Sequence, residues 1–262
     1  MTSETPTILV ERIEPTVVRI TLNRPEQRNA LSMQMMDQLQ AELAKIGGDD
    51  NRVRAVIFQG AGKVFCAGLD LAEAMSDQSH RSARAVAETL QAVADATVVT
   101  IAIVHGAAVA GGAGLMSACD FVVAEEGTRI GFPEVRRGLV GALVTTFLRR
   151  QIGERHLREM LIGGGLITAE RALAMGLVNR VVPTGRGQES ADEFVREIHQ
   201  GAPKAISRTK ELLACGYGSI REDLDAALES HLVARNSEEA VEGIAAFLEK
   251  REPHWAKENQ PT

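Results

Sequence analysis

Aromatic side chains are scarce in this chain, with one Trp, one Tyr and seven Phe among 262 residues. That scarcity speaks against a surface that stacks exposed nucleotide bases. Excess positive charge is missing too: 29 Lys and Arg face 35 Asp and Glu, for a formal net charge of -6. A mildly acidic body has no electrostatic footprint for nucleic acid or an anionic membrane, so neither is expected as a partner. Cys66, Cys119 and Cys215 lie far apart and form no C-x-x-C pair. This predicts neither a disulfide framework nor a thiolate metal site, and it fits a reducing, cytoplasmic compartment. The six histidines form no H-x-x-x-H pair, which leaves no helical metal site to expect. Residues 1–15 lack the apolar core of a secretory leader. The longest uncharged run, residues 97–119, could span a bilayer by length. Its four Gly, its His105 and its shortage of Leu read instead as a buried strand, a Gly-rich loop and a buried helix in series.

What is present is ordinary for a globular protein: 45% hydrophobic and 24% charged residues, enough for a sizeable core. Val17–Leu22, Arg54–Phe58, Val98–Val104, Phe121–Ala124 and Val178–Val182 are apolar, β-branched runs that read as strands. Leu31, Met35, Leu39, Leu43 and Ile46 recur at helical spacing, and Gly47-Gly48 ends that helix. Helices are also predicted over 80–94 and 111–118. After Gly138 helices dominate: 140–151, 154–161, 168–175, 190–199, 203–215, 220–234 and 237–250, interrupted by a single strand at 178–182. Apolar strands alternating with helices predict an α/β core with parallel strands. Residues 1–200 form that core in this reading, residues 201–262 a helical C-terminal region, and its end, residues 252–262, frays.

Three stretches could carry chemistry. Gly60-Ala-Gly-Lys63 is not a Walker motif, and residues 106–114 contain no G-x-G-x-x-G, so both nucleotide fingerprints fail. Gly111-Gly112-Ala113-Gly114 follows an apolar strand and opens a helix, where free N–H groups and the positive dipole end face any ligand. Phe65-Cys-Ala-Gly-Leu-Asp70 is a small-residue loop after another strand, with Asp70 as a helix cap. Two such loops on neighbouring strands could aim two amides at one oxygen, the geometry of an oxyanion hole. Glu134, in Gly131-Phe-Pro-Glu134, could then abstract a proton beside a carbonyl, although an isolated Glu is usually a solvated surface group. Cys66 and Cys119 read as small packed hydrophobes and His105 as a satisfied core histidine.

These pieces in this order resemble the crotonase, or enoyl-CoA hydratase/isomerase, family. The carrying residues are Asn23-Arg-Pro25 with Asn29-Ala-Leu31, Phe65 to Asp70, His105 to Gly112, Ala118-Cys-Asp120, Gly131 to Glu134 and Gly176-Leu-Val-Asn179. The resemblance implies an α/β fold, a ClpP-like spiral ββα core closed by C-terminal trimerising helices, assembled as a homotrimer or homohexamer. It implies an acyl-CoA substrate, with coenzyme A part of that substrate and no separate cofactor. By the same resemblance the backbone N–H groups of Leu69 and Gly111 form the oxyanion hole and Glu134 is the catalytic acid/base. Ala67, Gly68, Asp70, Gly112 and Gly114 line the substrate, Arg28 approaches the CoA phosphates, and Phe247 and Lys250 touch adenine or phosphate from a neighbouring subunit. Met75 and the helix over 80–94 wall the acyl pocket. Arg136 and Arg137 pair with a substrate carboxylate, or else form ion pairs within the fold or between subunits.

This chain departs from the family's hydratases at Gly114, where they carry a second glutamate. A further departure is Gly141, where many relatives have Pro. With one carboxylate the expected reaction is hydration of a 2-enoyl thioester, branched or carboxylated like methylglutaconyl-CoA. Migration of a 3-enoyl double bond is the alternative, and a non-catalytic crotonase-fold interaction protein is the reading from another class. Restoring a glutamate at position 114 tests this departure: raised hydration of crotonyl-CoA would show that the missing acid is limiting, while no change or misfolding leaves it open.

Overall fold

The structure is a computed structural model that describes residues 6–48, 52–74, 79–214 and 220–251. Met75 and Cys215 therefore lie outside the described residues. In chain order the elements are β1 (Ile8–Glu14), β2 (Val17–Leu22), α1 (Met33–Gly48), β3 (Ala55–Gly60), α2 (Leu71–Ala74), α3 (Ser79–Ala94), β4 (Val99–Val104), β5 (Ala107–Val109) and α4 (Gly111–Ala118). There follow β6 (Phe121–Glu125), β7 (Arg129–Gly131), α5 (Ala142–Gln151), α6 (Glu154–Gly163), β8 (Leu166–Thr168), α7 (Ala169–Met175), β9 (Arg180–Val182), α8 (Gly187–Gln200), α9 (Pro203–Ala214), α10 (Ile220–Arg235) and α11 (Glu238–Leu248).

A six-stranded sheet runs β1-β2-β3-β4-β6-β9, parallel except for the β1–β2 hairpin. All six residues of β4 are buried, as its apolar sequence requires of a strand covered on both faces. The period of two splits them between two cores. Val99, Ile101 and Ile103 join Ile57 and Val123 beneath Ala191, Phe194, Val195 and Ile198 of α8. Ala102 and Val104 join Val56, Phe58 and Val122 under α1, α3 and α4, contributed chiefly by Met35, Leu39, Leu90 and Leu115. Each large apolar side chain so buried contributes about 1.5–3 kcal/mol.

A second sheet, β5-β7-β8, was not legible in the sequence, nor was β1. Its strands have three residues each, too few to show alternation. The single strand expected after Gly138 is thus joined by β8. The two sheets define the spiral. The chain climbs β4, turns through β5 and descends into α4, then repeats the path through β6, β7 and α5. The preceding turn does the same with β3 and the segment around Cys66, which bridges Ala108 of β5 in parallel.

Several of the motif residues turn out to build this scaffold. Asn29, wholly buried, donates to the carbonyls of Ala61 and Val64 at 2.8 and 2.9 Å and accepts from the Arg24 amide at 2.9 Å. Asp120 accepts from the Thr100 amide at 2.8 Å and pairs with Lys210 at 2.6 Å, pinning α9 to the sheet. Asn179 accepts from the Val122 amide at 2.7 Å and fixes β9 against β6. The uncharged run 97–119 is β4, β5 and α4, and among the described residues no helix is long and apolar enough to cross a membrane.

Candidate active site

Three successive turns of the spiral bring Leu69, Gly111 and Glu134 to one end of the small sheet. Cys66 pairs with Ala108, and Val109 pairs with Gly131, so the three segments are adjacent rungs. Counted from the aligned set Cys66, Ala108 and Ile130, Leu69 and Gly111 lie three residues on and Glu134 four. Register thus sets three residues far apart in sequence just past the same end of adjacent segments.

Gly68 and Gly111 touch. A Cβ on Gly68, at φ +98°, would lie 2.9 Å from the Val109 carbonyl and 3.4 Å from the Gly111 nitrogen. A Cβ on Gly111 would lie 3.6 Å from the Leu69 nitrogen. Glycine at position 68 is what lets the two loops approach this closely. Neither the Leu69 nor the Gly111 amide donates to a backbone carbonyl among the described residues, while their neighbours do: Asp70 N–H to Leu31 at 3.0 Å and Ala110 N–H to Gly131 at 2.9 Å. Two adjacent unspent donors, one of them opening α4, can receive a single negatively charged oxygen. Ala110, just before Gly111, is held at φ 50°, ψ -124°, which costs a residue with a Cβ about 1–3 kcal/mol. No feature of the sequence announced that strain.

Glu134 sits in a 3-10 turn over Pro133–Arg137, not on an open loop. The residue is half-buried, but its Oε2 is fully buried and has no hydrogen-bond partner. Burial pushes its carboxyl up to about 7; its own amide and the Arg137 charge pull the other way without overcoming desolvation. The hydrogen bond from Ala110 to Gly131 ties this turn to the loop carrying Gly111. From the other side α11 presses on it: a Cβ on Gly243 would fall 2.3 Å from the Arg137 carbonyl carbon. Leu139, Ala240 and Ile244 close a small core there.

Position 114 is not an empty slot awaiting a carboxylate. A Cβ there would meet Val144 Cγ1 at 2.7 Å and Leu90 Cδ1 at 3.5 Å. The sequence could show the missing glutamate but not the apolar pair occupying its place, because Leu90 and Val144 come from α3 and α5. Gly141 sits on the same wall, its Cβ position 3.2 Å from Val144 Cγ2 and 3.7 Å from the Glu134 carboxyl carbon.

The remaining expected residues divide. Ala67 donates its amide to the Arg28 carbonyl at 3.0 Å, which brings exposed Arg28 beside the loop. Gly112 is packed so tightly that a Cβ would lie 2.4 Å from the Cys66 carbonyl oxygen. Asp70 caps α2 through the Ala72 amide at 3.1 Å and pairs with Arg24 at 2.9 Å, so its carboxylate is already engaged. Phe247 lies under the Arg137 guanidinium, 4.2 Å from ring centroid to Cζ, and Lys250 is exposed. Arg136 donates to the Gly163 carbonyl at 3.3 Å. His105 is partly exposed rather than in the core, with Nε2 3.1 Å from the Gly62 carbonyl. Cys66 and Cys119 are buried; burial pushes the Cys66 thiol up to about 12 and the Cys119 thiol higher still, so neither is a nucleophile. Among the described residues no group of three His, Cys, Asp or Glu could hold a metal ion.

Comparison with known proteins agrees with this fold. A family model described as "Enoyl-CoA hydratase/isomerase" matches residues 12–259. A putative enoyl-CoA hydratase of Thermus thermophilus is 39% identical over 246 residues, covering 91% of this chain and 97% of that protein. The mevalonyl-coenzyme A hydratase of Aspergillus fumigatus is 32% identical over 259 residues, 94% of each chain. Among solved structures, an enoyl-CoA hydratase from Mycobacterium avium superposes with a TM-score of 0.85 at 30% identity, covering 96% of this chain and 99% of the other. With fold, motif order and relatives agreeing along nearly its whole length, the chain belongs to the enoyl-CoA hydratase/isomerase, or crotonase, family of enzymes.

Proposed function

We propose that the chain adds water to the double bond of a 2-enoyl-CoA thioester using one acidic side chain. The observation that carries this reading is the buried, unpartnered Oε2 of Glu134 on the rung next to the two unspent amides. The thioester oxygen accepts from Leu69 and Gly111. As charge develops on it, Glu134 takes a proton from water while the oxygen of that water bonds to the β-carbon. The enolate then collapses, and Glu134 returns the proton to the α-carbon. A group poised near neutral pH suits both halves of this exchange. Coenzyme A arrives as part of the substrate, and no further cofactor enters. Arg28, Phe247 and Lys250 face its phosphates and adenine, the last two in the active site of a neighbouring copy within a homotrimer or homohexamer. The relative that hydrates mevalonyl-coenzyme A supports a branched acyl group.

One observation favours a second reading. Val144 and Leu90 occupy the side of position 114, so no carboxylate from α4 shares the water, and double-bond migration between α and γ carbons needs only Glu134. A panel of 2-enoyl and 3-enoyl thioesters decides. Loss of enoyl absorbance at 2-enoyl substrates supports hydration; its gain from 3-enoyl substrates alone overturns it in favour of isomerisation.

The same wall bears on the test at position 114. Gly114→Glu by itself forces a Cβ into Val144 and is expected to cost about 1–3 kcal/mol of stability. Combined with Val144→Ala, which makes room, it is expected to raise crotonyl-CoA hydration at least several-fold over Val144→Ala alone. No gain in a folded double variant would show that a second carboxylate is not what limits this enzyme.

A further inference from the structure

Toward its C-terminal end, α10 carries two side chains, His231 and Arg235, each with a buried nitrogen that has no hydrogen-bond partner. Arg235 is 8% exposed, and its Nε is buried without a partner. No hydrogen bond or ion pair engages its guanidinium among the described residues. Other arginines differ: Arg24 reaches Asp70, Arg54 two backbone carbonyls, and Arg180 both Glu193 and Glu197. One turn before Arg235, His231 turns its ring to the Val140 carbonyl, while its buried Nε2 has no partner. The two share the face on which Leu224 and Leu228 enter the core, so the stripe begins apolar and ends polar. Burial holds both groups below their ordinary pKa, and the charge on Arg235 lowers His231 further.

A guanidinium whose Nε is buried without a partner carries an uncompensated desolvation cost, although its terminal nitrogens are not among the buried unpartnered atoms. Its place beside the second unpartnered nitrogen, His231 Nε2, is explained if an anion completes it. We propose that His231 and Arg235 form a binding site for a carboxylate. The guanidinium fork matches the two oxygens of a carboxylate, and a bound carboxylate would favour the charged imidazole of His231, whose Nε2–H then adds a third donor. The place suits such a ligand: Val140 adjoins Gly141, whose Cβ position is 3.7 Å from the Glu134 carboxyl carbon. The carboxylate has two possible sources. One is the far end of the acyl group of a dicarboxylic thioester, which rests on the acyl-CoA reading above. The other is an Asp or Glu of a second copy of the chain, which does not.

The test uses Arg235→Met with two readouts: calorimetric affinity for the unreactive saturated thioesters glutaryl-CoA and butyryl-CoA, and particle mass by light scattering. For the first source, the full-length protein binds glutaryl-CoA at least 10-fold more tightly than butyryl-CoA. Arg235→Met abolishes that preference without changing butyryl-CoA affinity or mass. For the second source, the two thioesters bind alike, and Arg235→Met shifts the assembly to a smaller particle with unchanged circular dichroism. No preference together with unchanged mass overturns the proposal, and Arg235→Met should then melt higher, having lost an idle charge. Should neither thioester bind, the acyl-CoA reading fails and the mass measurement decides the site alone. If Arg235→Met does not fold, Arg235→Lys takes its place, since an ammonium keeps the charge but cannot form the two-pronged contact.

Discussion

Glu134→Gln is expected to slow turnover by about 10²- to 10⁴-fold, the usual contribution of a general acid/base, while making the protein more stable at neutral and alkaline pH. Both effects have one cause, a carboxyl buried without a partner for Oε2. Its pKa rises from 4.5 to about 7, so the folded state resists its ionisation. The sign follows from linkage. Below 4.5 the group is protonated in both states and imposes nothing. Between 4.5 and 7 the unfolded chain releases the proton first and gains, and above 7 the full penalty stands. Two and a half units correspond to roughly 3 kcal/mol. The Gln amide brings a desolvation cost of its own, leaving a net gain of about 1–2 kcal/mol at pH 8 that shrinks to nothing or reverses below pH 4.5. Denaturant melts of both proteins at pH 4.5 and 8 measure it. As a base Glu134 must be ionised, so kcat/KM should rise with pH through about 7, and the Gln variant should lose that limb. A turnover loss below threefold would remove Glu134 from the mechanism.

Gly68→Ala is expected to reduce kcat by about 10²- to 10³-fold, the cost of losing one oxyanion donor, and to cost about 1–3 kcal/mol of stability. The new Cβ at φ +98° would stand 2.9 Å from the Val109 carbonyl and 3.1 Å from the Ala110 Cβ, wedging apart the two loops whose amides must converge. A misplaced amide weakens the transition state more than the bound thioester, so kcat should fall further than KM rises. Steady-state kinetics with circular dichroism and a melt separate this from unfolding. A folded variant with kcat within threefold of the original would show that the contact between residues 68 and 111 does not set the chemistry.

Much of this was readable in the residues themselves. The nearly all-apolar run of β4 read as a central strand, and the helical spacing of Leu31 to Ile46 gave α1 to within two residues at each end. The order of the small motifs carried the family. Local patterns serve here because strands and helices state their burial in periods of two and 3.6. The three-residue strands of the small sheet state none, and yet their register places the site. Asp70 shows the same limit in another form. It looked like a substrate contact by position, but Arg24 and the Ala72 amide engage its carboxylate. Nothing local distinguishes a spent side chain from an idle one.

The amino-acid sequence determined every strand of the large sheet except β1, the helices that cover it, and the presence of Glu134 with two glycine-rich loops. Only the tertiary structure decided that residues 69, 111 and 134 lie on neighbouring rungs, that Oε2 of Glu134 is starved of partners, and that Val144 and Leu90 fill the place of a second carboxylate. The reason is that periodicity is written within a segment. Desolvation and close approach are properties of segments meeting, and the chain specifies those only through the register in which its turns stack.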